Sequence, residues 1–157
     1  MNSRPAVTAT HLPAWSMLHQ RVAANDFLDC YSVASDLPPR QAAEIFATFP
    51  GWVHFLLRLR RVVTAPFGLS NDGPKARDRI GFFPVETDNG AEIIAGFNDR
   101  HLDFRVSILS RDGQVSAATW VHPHNIGGRL YLALVLPFHR LIVRNGLARV
   151  ASHGTSA

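Results

Sequence analysis

Apolar and polar positions change their period three times along this chain. Leu102, Phe104, Val106 and Ile108 alternate with His101, Asp103, Arg105 and Ser107. That two-residue period marks a strand with one face on a core and the other on water or a polar partner. Comparable strand-like runs cover 27–35, 80–86, 92–97 and 114–122. The connections Asp88-Asn89-Gly90 and Arg111-Asp112-Gly113 predict tight hairpins, because Asn-Gly and Asp-Gly tolerate positive φ. The last four runs therefore form an antiparallel meander.

Between the first strand and the meander the period becomes helical. Asp36 followed by Pro38 and Pro39 is a helix-start signal, an acceptor just ahead of a first-turn proline. It predicts a short helix to about Phe49. Pro50 and Gly51 break it, and a second helix is expected through Thr64. There Trp52, Phe55, Leu56, Leu59, Val62 and Val63 recur at helical spacing, with His54, Arg58 and Arg61 on the opposite side. Residues 70–79, rich in Asp, Gly, Pro and Lys, read as an exposed loop. After Gly127 and Gly128, which read as a turn, a long helix is expected over 129–150. Pro137 lies inside it and predicts a kink or a fresh start, since proline lacks an N–H and collides with the carbonyl of Ala133.

The order is strand, two helices, four strands, long helix: an α+β class in which a curved antiparallel sheet grips the C-terminal helix. Residues 1–25 show no period and read as a flexible N-terminal arm. Residues 26–151 read as one domain, and 152–157 as a tail. The whole chain of 157 residues suits one domain with a real core.

Composition narrows the function classes. With 46% hydrophobic and 18% charged residues the chain is ordinary for a globular protein. Cys30 stands alone, so no internal disulfide forms and a reducing, cytoplasmic setting is expected. The first 25 residues hold no apolar core of secretory-signal length. The apolar run before His139 and Arg140 reads as too short to span a bilayer. A pI near 10.2 and net charge of +4 invite a nucleic-acid reading. Yet the basic residues are dispersed, and the densest group, Arg58, Arg60 and Arg61, sits on a helix without the aromatic pattern of an RNA-binding sheet. No nucleic-acid partner is expected. Dinucleotide loops, phosphate loops, nucleophile elbows and zinc helices are absent from the sequence, and no cofactor is expected.

Some residues carry chemistry of their own. His139 on the last helix has Val135, Leu136, Ile142 and Val143 as helical neighbours. It is either a satisfied core histidine or the lining of a pocket, with Asp99, Asp103 and Tyr131 as candidate orienters. Asn98, Asp99, Arg100, His101, Asp103 and Arg105 form the densest polar group. Asp103 and Arg105 read as a cross-strand network, while Asp99, Arg100 and His101 lie at a turn where an anion or polar head group would bind. His122 and His124 share a strand face but lack further ligands, so no metal is expected. His124 and Asn125 are read as caps for the last helix or for the Gly127-Gly128 turn.

Three blocks, GFNDRHLDFRVSI, WVHPHNIGGRLYL and LPFHRLIV, together resemble a bacterial family known as domain of unknown function 2867. The similarity runs from about Asp26 to Val150. Members of that family stand alone or form the C-terminal part of short-chain dehydrogenase-like chains, which implies a dehydrogenase-type partner or a homo-oligomer. The element order also resembles the START-like, or helix-grip, fold of lipid carriers and polyketide cyclases. That resemblance implies a cavity for a small hydrophobic ligand, lined by Trp52, Phe55, Phe97, Phe104, Trp120, Tyr131, Phe138 and His139, with Arg100 at its rim. Two other readings stay open. One is a cyclase- or isomerase-like enzyme using His139 with Asp99 or Asp103; the other is a protein-protein interaction module.

Overall fold

A computed structural model describes residues 6–49, 51, 54, 58, 76–81 and 83–154. Among them seven strands form one sheet, accompanied by a short α-helix and a long C-terminal one. The elements are β1 (Thr8–Ala9), β2 (Phe27–Ala34), α1 (Pro39–Phe46), β3 (Arg79–Ile80), β4 (Phe83–Asp88), β5 (Glu92–Asn98), β6 (Leu102–Arg111), β7 (Gln114–Pro123) and α2 (Ile126–Gly154). A single 3₁₀ turn, Met17–Gln20, lies between β1 and β2. The sheet order is β1-β2-β7-β6-β5-β4-β3, and each neighbouring pair is antiparallel.

The meander forms where alternation and turn chemistry agree. Asp112 and Gly113 both take positive φ, 54° and 75°, and Arg111 pairs with Gln114 on either side of them. Gly90 does the same at φ 86°. The run expected at 80–86 is instead two strands: Gly81 at φ 58° turns the chain, so that Ile80 pairs back onto Phe83.

The helical region departs from expectation. Thr8–Ala9 precedes the strand that was expected to be first. Helix α1 ends at Phe46, and its N-cap is Pro38, with no side-chain acceptor from Asp36. Pro39 at its first turn needs no N–H partner there. Gly51, His54 and Arg58 have helical backbone, and the rest of the second helix expected through Thr64 lies outside the described residues. Helix α2 begins three residues earlier than predicted and continues unbroken through Pro137, whose ring lies on the exposed side. Asn125 caps it by accepting the Gly128 N–H at 3.0 Å. Gly127 and Gly128 thus belong to the first turn rather than to a preceding loop. At Gly128 a Cβ would stand 2.2 Å from the His101 carbonyl oxygen, so only glycine lets α2 start this close to the β5–β6 hairpin.

Strand parity divides the interior in two. On one face Tyr31, Val33, Ile93, Ile108, Val115 and Ala117 meet Ala42, Ala43 and Phe46 of α1 and Val143, Leu147 and Val150 of α2. Helix α2 packs on β2 and β7, and α1 on β5 and β6. The other face carries Cys30, Ile94, Leu109, Ala118 and Trp120, covered by Leu12, Trp15, Leu18 and Val22. Leu18 is fully buried there.

Candidate functional site

His139 is held by an acid on the sheet. Along β2, Phe27, Asp29, Tyr31 and Val33 share the face that meets α2, and Asp29 stands opposite Thr119 of β7. On α2, His139 lies four residues before Val143, on the side turned to that face. Its Nε2 is 3.0 Å from Asp29 Oδ2, and the two side chains are only 17% and 15% exposed. The edge of the Phe27 ring closes the pair from one side, with centroids 6.0 Å apart. Asp29 Oδ1 is buried and accepts no hydrogen bond among the described residues. When Nε2 carries the proton it donates to the carboxylate and leaves Nδ1 as an acceptor.

The partner is therefore Asp29, not one of the expected orienters. Asp103 projects from the opposite sheet face and pairs with His124 Nε2 at 3.0 Å. Asp99 belongs to the β5–β6 turn, where its carboxylate accepts the Arg100 N–H. The pairing of His139 with Asp99 or Asp103 does not occur. Asp29 had a signal in the sequence: it is the one acid in this strand, with the same parity as Phe27, Tyr31 and Val33.

Near this pair the sheet and α1 form a small apolar hollow, open on one side, with about 20 Å³ of free space. Ala43, Phe46, Ala47 and Phe49 form one wall; Ile80, Phe83, Ile93, Ala95, Val106 and Ile108 form the other. Val106, Thr119 and Asp29 stand side by side across β6, β7 and β2. The Asp29–His139 pair is thus two strand spacings, about 10 Å, from the Val106 wall.

The residues expected to line one cavity are scattered. Phe97 and Phe104 do meet, edge to face with centroids 4.7 Å apart, and Phe83 adds a third ring at 5.4 Å from Phe104. Trp120 is on the other face of the sheet, packed with Leu28 and Cys30, so no single cavity holds it and His139. Phe138 points outward at 48% exposed, Tyr131 is half-buried on α2, and Arg100 is exposed at its turn. Trp52 and Phe55 lie outside the described residues.

Residues 21–146 match the family model described as protein of unknown function, DUF2867. The chain belongs to this family. No curated protein and no solved structure matches it. The DUF2867 match takes in Asp29, His139 and every residue that lines the hollow.

The opposite face of this DUF2867 sheet is polar at the end that carries the β5–β6 turn. The Arg105 guanidinium, nearly buried, donates to Glu86 and Asn98, each at 2.9 Å, and Arg21 also pairs with Glu86. Burial holds the Arg105 pKa below its ordinary value. Asp26, its side chain enclosed, accepts from Trp120 Nε1 at 2.8 Å, His122 Nδ1 at 2.5 Å and the Ala23 N–H at 2.8 Å. The bond to Asp103, helped by the Arg100 carbonyl, raises the His124 pKa. His122 and His124 are thus each bonded to a different carboxylate. Cys30 is buried, and burial with the nearby Asp29 charge pushes its thiol up to about 12, so it stays protonated at neutral pH.

Helix α2 of this DUF2867 chain is apolar well beyond the run that ends at His139 and Arg140. Its 29 residues are long and apolar enough to cross a membrane by length and composition, and only 11% of its most apolar 18-residue stretch is buried.

Proposed function

We propose that this protein binds a small apolar molecule between its sheet and its helices. The observation that carries the reading is the hollow under α1: all ten of its lining residues are apolar, and a ligand enters by parting the α1 wall from the sheet. Topology supports it. The first long strand, β2, lies beside the last, β7, with the C-terminal helix packed on both; we read this as a helix-grip arrangement of the START-like kind. Ligand binding in such a hollow is driven by the apolar area removed from water.

A second reading rests on the Asp29–His139 pair. A histidine oriented by an enclosed carboxylate is the minimum equipment for general acid–base chemistry, as in a cyclase or isomerase. In that role Asp29 fixes the ring, and Nδ1 exchanges the proton with the ligand.

One titration tests both. With an environment-sensitive apolar dye as probe, Val106→Phe, which fills the hollow from its partly buried wall, weakens binding about tenfold or more while the melting temperature stays close to wild type. Equal affinity for the two proteins ends the first reading. His139→Ala leaves dye affinity within about threefold if the pair is only structural or orienting. Native mass spectrometry of the purified protein names the ligand class. Unchanged conversion of that ligand by His139→Ala ends the second reading.

A further inference from the structure

We propose that the outer face of α2 docks the protein on an anionic lipid surface. Helix α2 is apolar on two sides. One, with Val143, Leu147 and Val150, is buried on the sheet and α1. The other carries Ile126, Leu130, Leu134, Phe138 and Leu141, which are 75%, 61%, 73%, 48% and 55% exposed. Spaced by four, four, four and three residues, they form one stripe over roughly 22 Å of helix. Five large side chains in one unbroken row exceed the scattered exposure of an ordinary protein surface.

Charge selects the occupant. Arg129 and Arg140 flank the stripe, both exposed, and neither pairs with a carboxylate among the described residues. The sequence has no Asp or Glu after Asp112. Two copies packed face to face through this stripe would bring arginines together with no acid on either helix to answer them. A bilayer with anionic headgroups answers both features, because the apolar row enters the acyl boundary while the arginine stems reach up to the phosphates. Val143, Leu147, Val150 and Ala151 are packed in the core, so the helix lies along the membrane surface instead of crossing it.

The test is co-sedimentation of the intact protein with phosphatidylcholine vesicles prepared with and without phosphatidylglycerol. Binding is expected only with phosphatidylglycerol and is expected to weaken as salt rises. The double variant Leu130→Asp, Leu134→Asp loses about tenfold or more in vesicle affinity. Arg129→Gln and Arg140→Gln each lose about fivefold. Thermal melts of these variants match wild type, since the altered side chains stand in solvent. Dye binding in the hollow is unaffected, which separates this proposal from the ligand reading. Two results overturn it. One is absence of vesicle binding, or binding indifferent to phosphatidylglycerol. The other is a dimer in light scattering that Leu130→Asp, Leu134→Asp dissolves, which assigns the stripe to a second copy.

Discussion

Asp26 shows how a single side chain ties pH to stability. Burial, the largest influence on it, pushes its carboxyl up, but the bonds from His122, the Ala23 N–H and Trp120 outweigh that and hold it below its ordinary 3.8. A carboxyl depressed in the folded state binds its proton later than in the unfolded chain. Its stabilisation is therefore complete above 3.8 and is lost as pH falls through the folded value. Urea midpoints measured down through this window should drop more steeply for wild type than for Asp26→Asn, and parallel curves would refute the assignment. His139 was legible as an inward-facing residue from its four aliphatic neighbours. Its partner was not, because nothing in spacing joins residue 29 to residue 139; only the register of β2 against β7 and the seat of α2 bring them together. Trp120 misled for a related reason. A long aromatic looks like cavity lining whichever face its parity selects, and parity alone does not say which face the helices cover.

Among the elements, α1 and α2 meet at a close contact. A Cβ at Gly146 would lie 2.6 Å from Cδ2 of the Phe46 ring, which is itself buried. Gly146→Ala gains about 1 kcal/mol of helix propensity, while forcing that ring aside costs about 1–3 kcal/mol. The clash wins, and the expected melting temperature falls. Adding Phe46→Leu to Gly146→Ala relieves the contact, so the second substitution costs less beside alanine than beside glycine; strict additivity would sink the account. The meander strands and their Asn89-Gly90 and Asp112-Gly113 turns were legible because alternation and turn chemistry reinforce each other over several residues. Strands β1 and β3 were not, since two residues carry no period. Helix α2 kept going through Pro137, where local chemistry predicted a break. Its packing on β2, β7 and α1 outweighs the one hydrogen bond that the ring removes.

At the scale of the molecule, Glu92 fastens the segment before β2 onto the sheet. The side chain is fully buried, accepting from Ser16 Oγ at 2.6 Å, Ser107 Oγ at 2.5 Å and the Met17 N–H at 2.8 Å. Glu92→Ala leaves three donors unanswered in the interior and should lower the unfolding free energy by about 3 kcal/mol. Limited proteolysis of that variant should then cut before β2 ahead of the rest, and a wild-type digestion pattern would contradict the role. The α+β class and the helix-on-sheet arrangement followed from the order of periods, whereas the second small core was hidden, because residues 6–26 show no period until Trp15 and Leu18 are seen against Trp120 and Leu109.

The sheet order has one more consequence. Its two margins are β1 and β3, each only two residues long. An open sheet grows into fibrils by adding strands along unpaired backbone, and a dipeptide offers too little of it to template another chain. The long strands β7, β6 and β5, which bear apolar sequences prone to such stacking, are interior, and β1 covers Tyr31 and Ser32 of β2. Native-state growth is thereby confined to the parts of β2 and β4 that β1 and β3 do not reach, while β5, β6 and β7 become available only on unfolding.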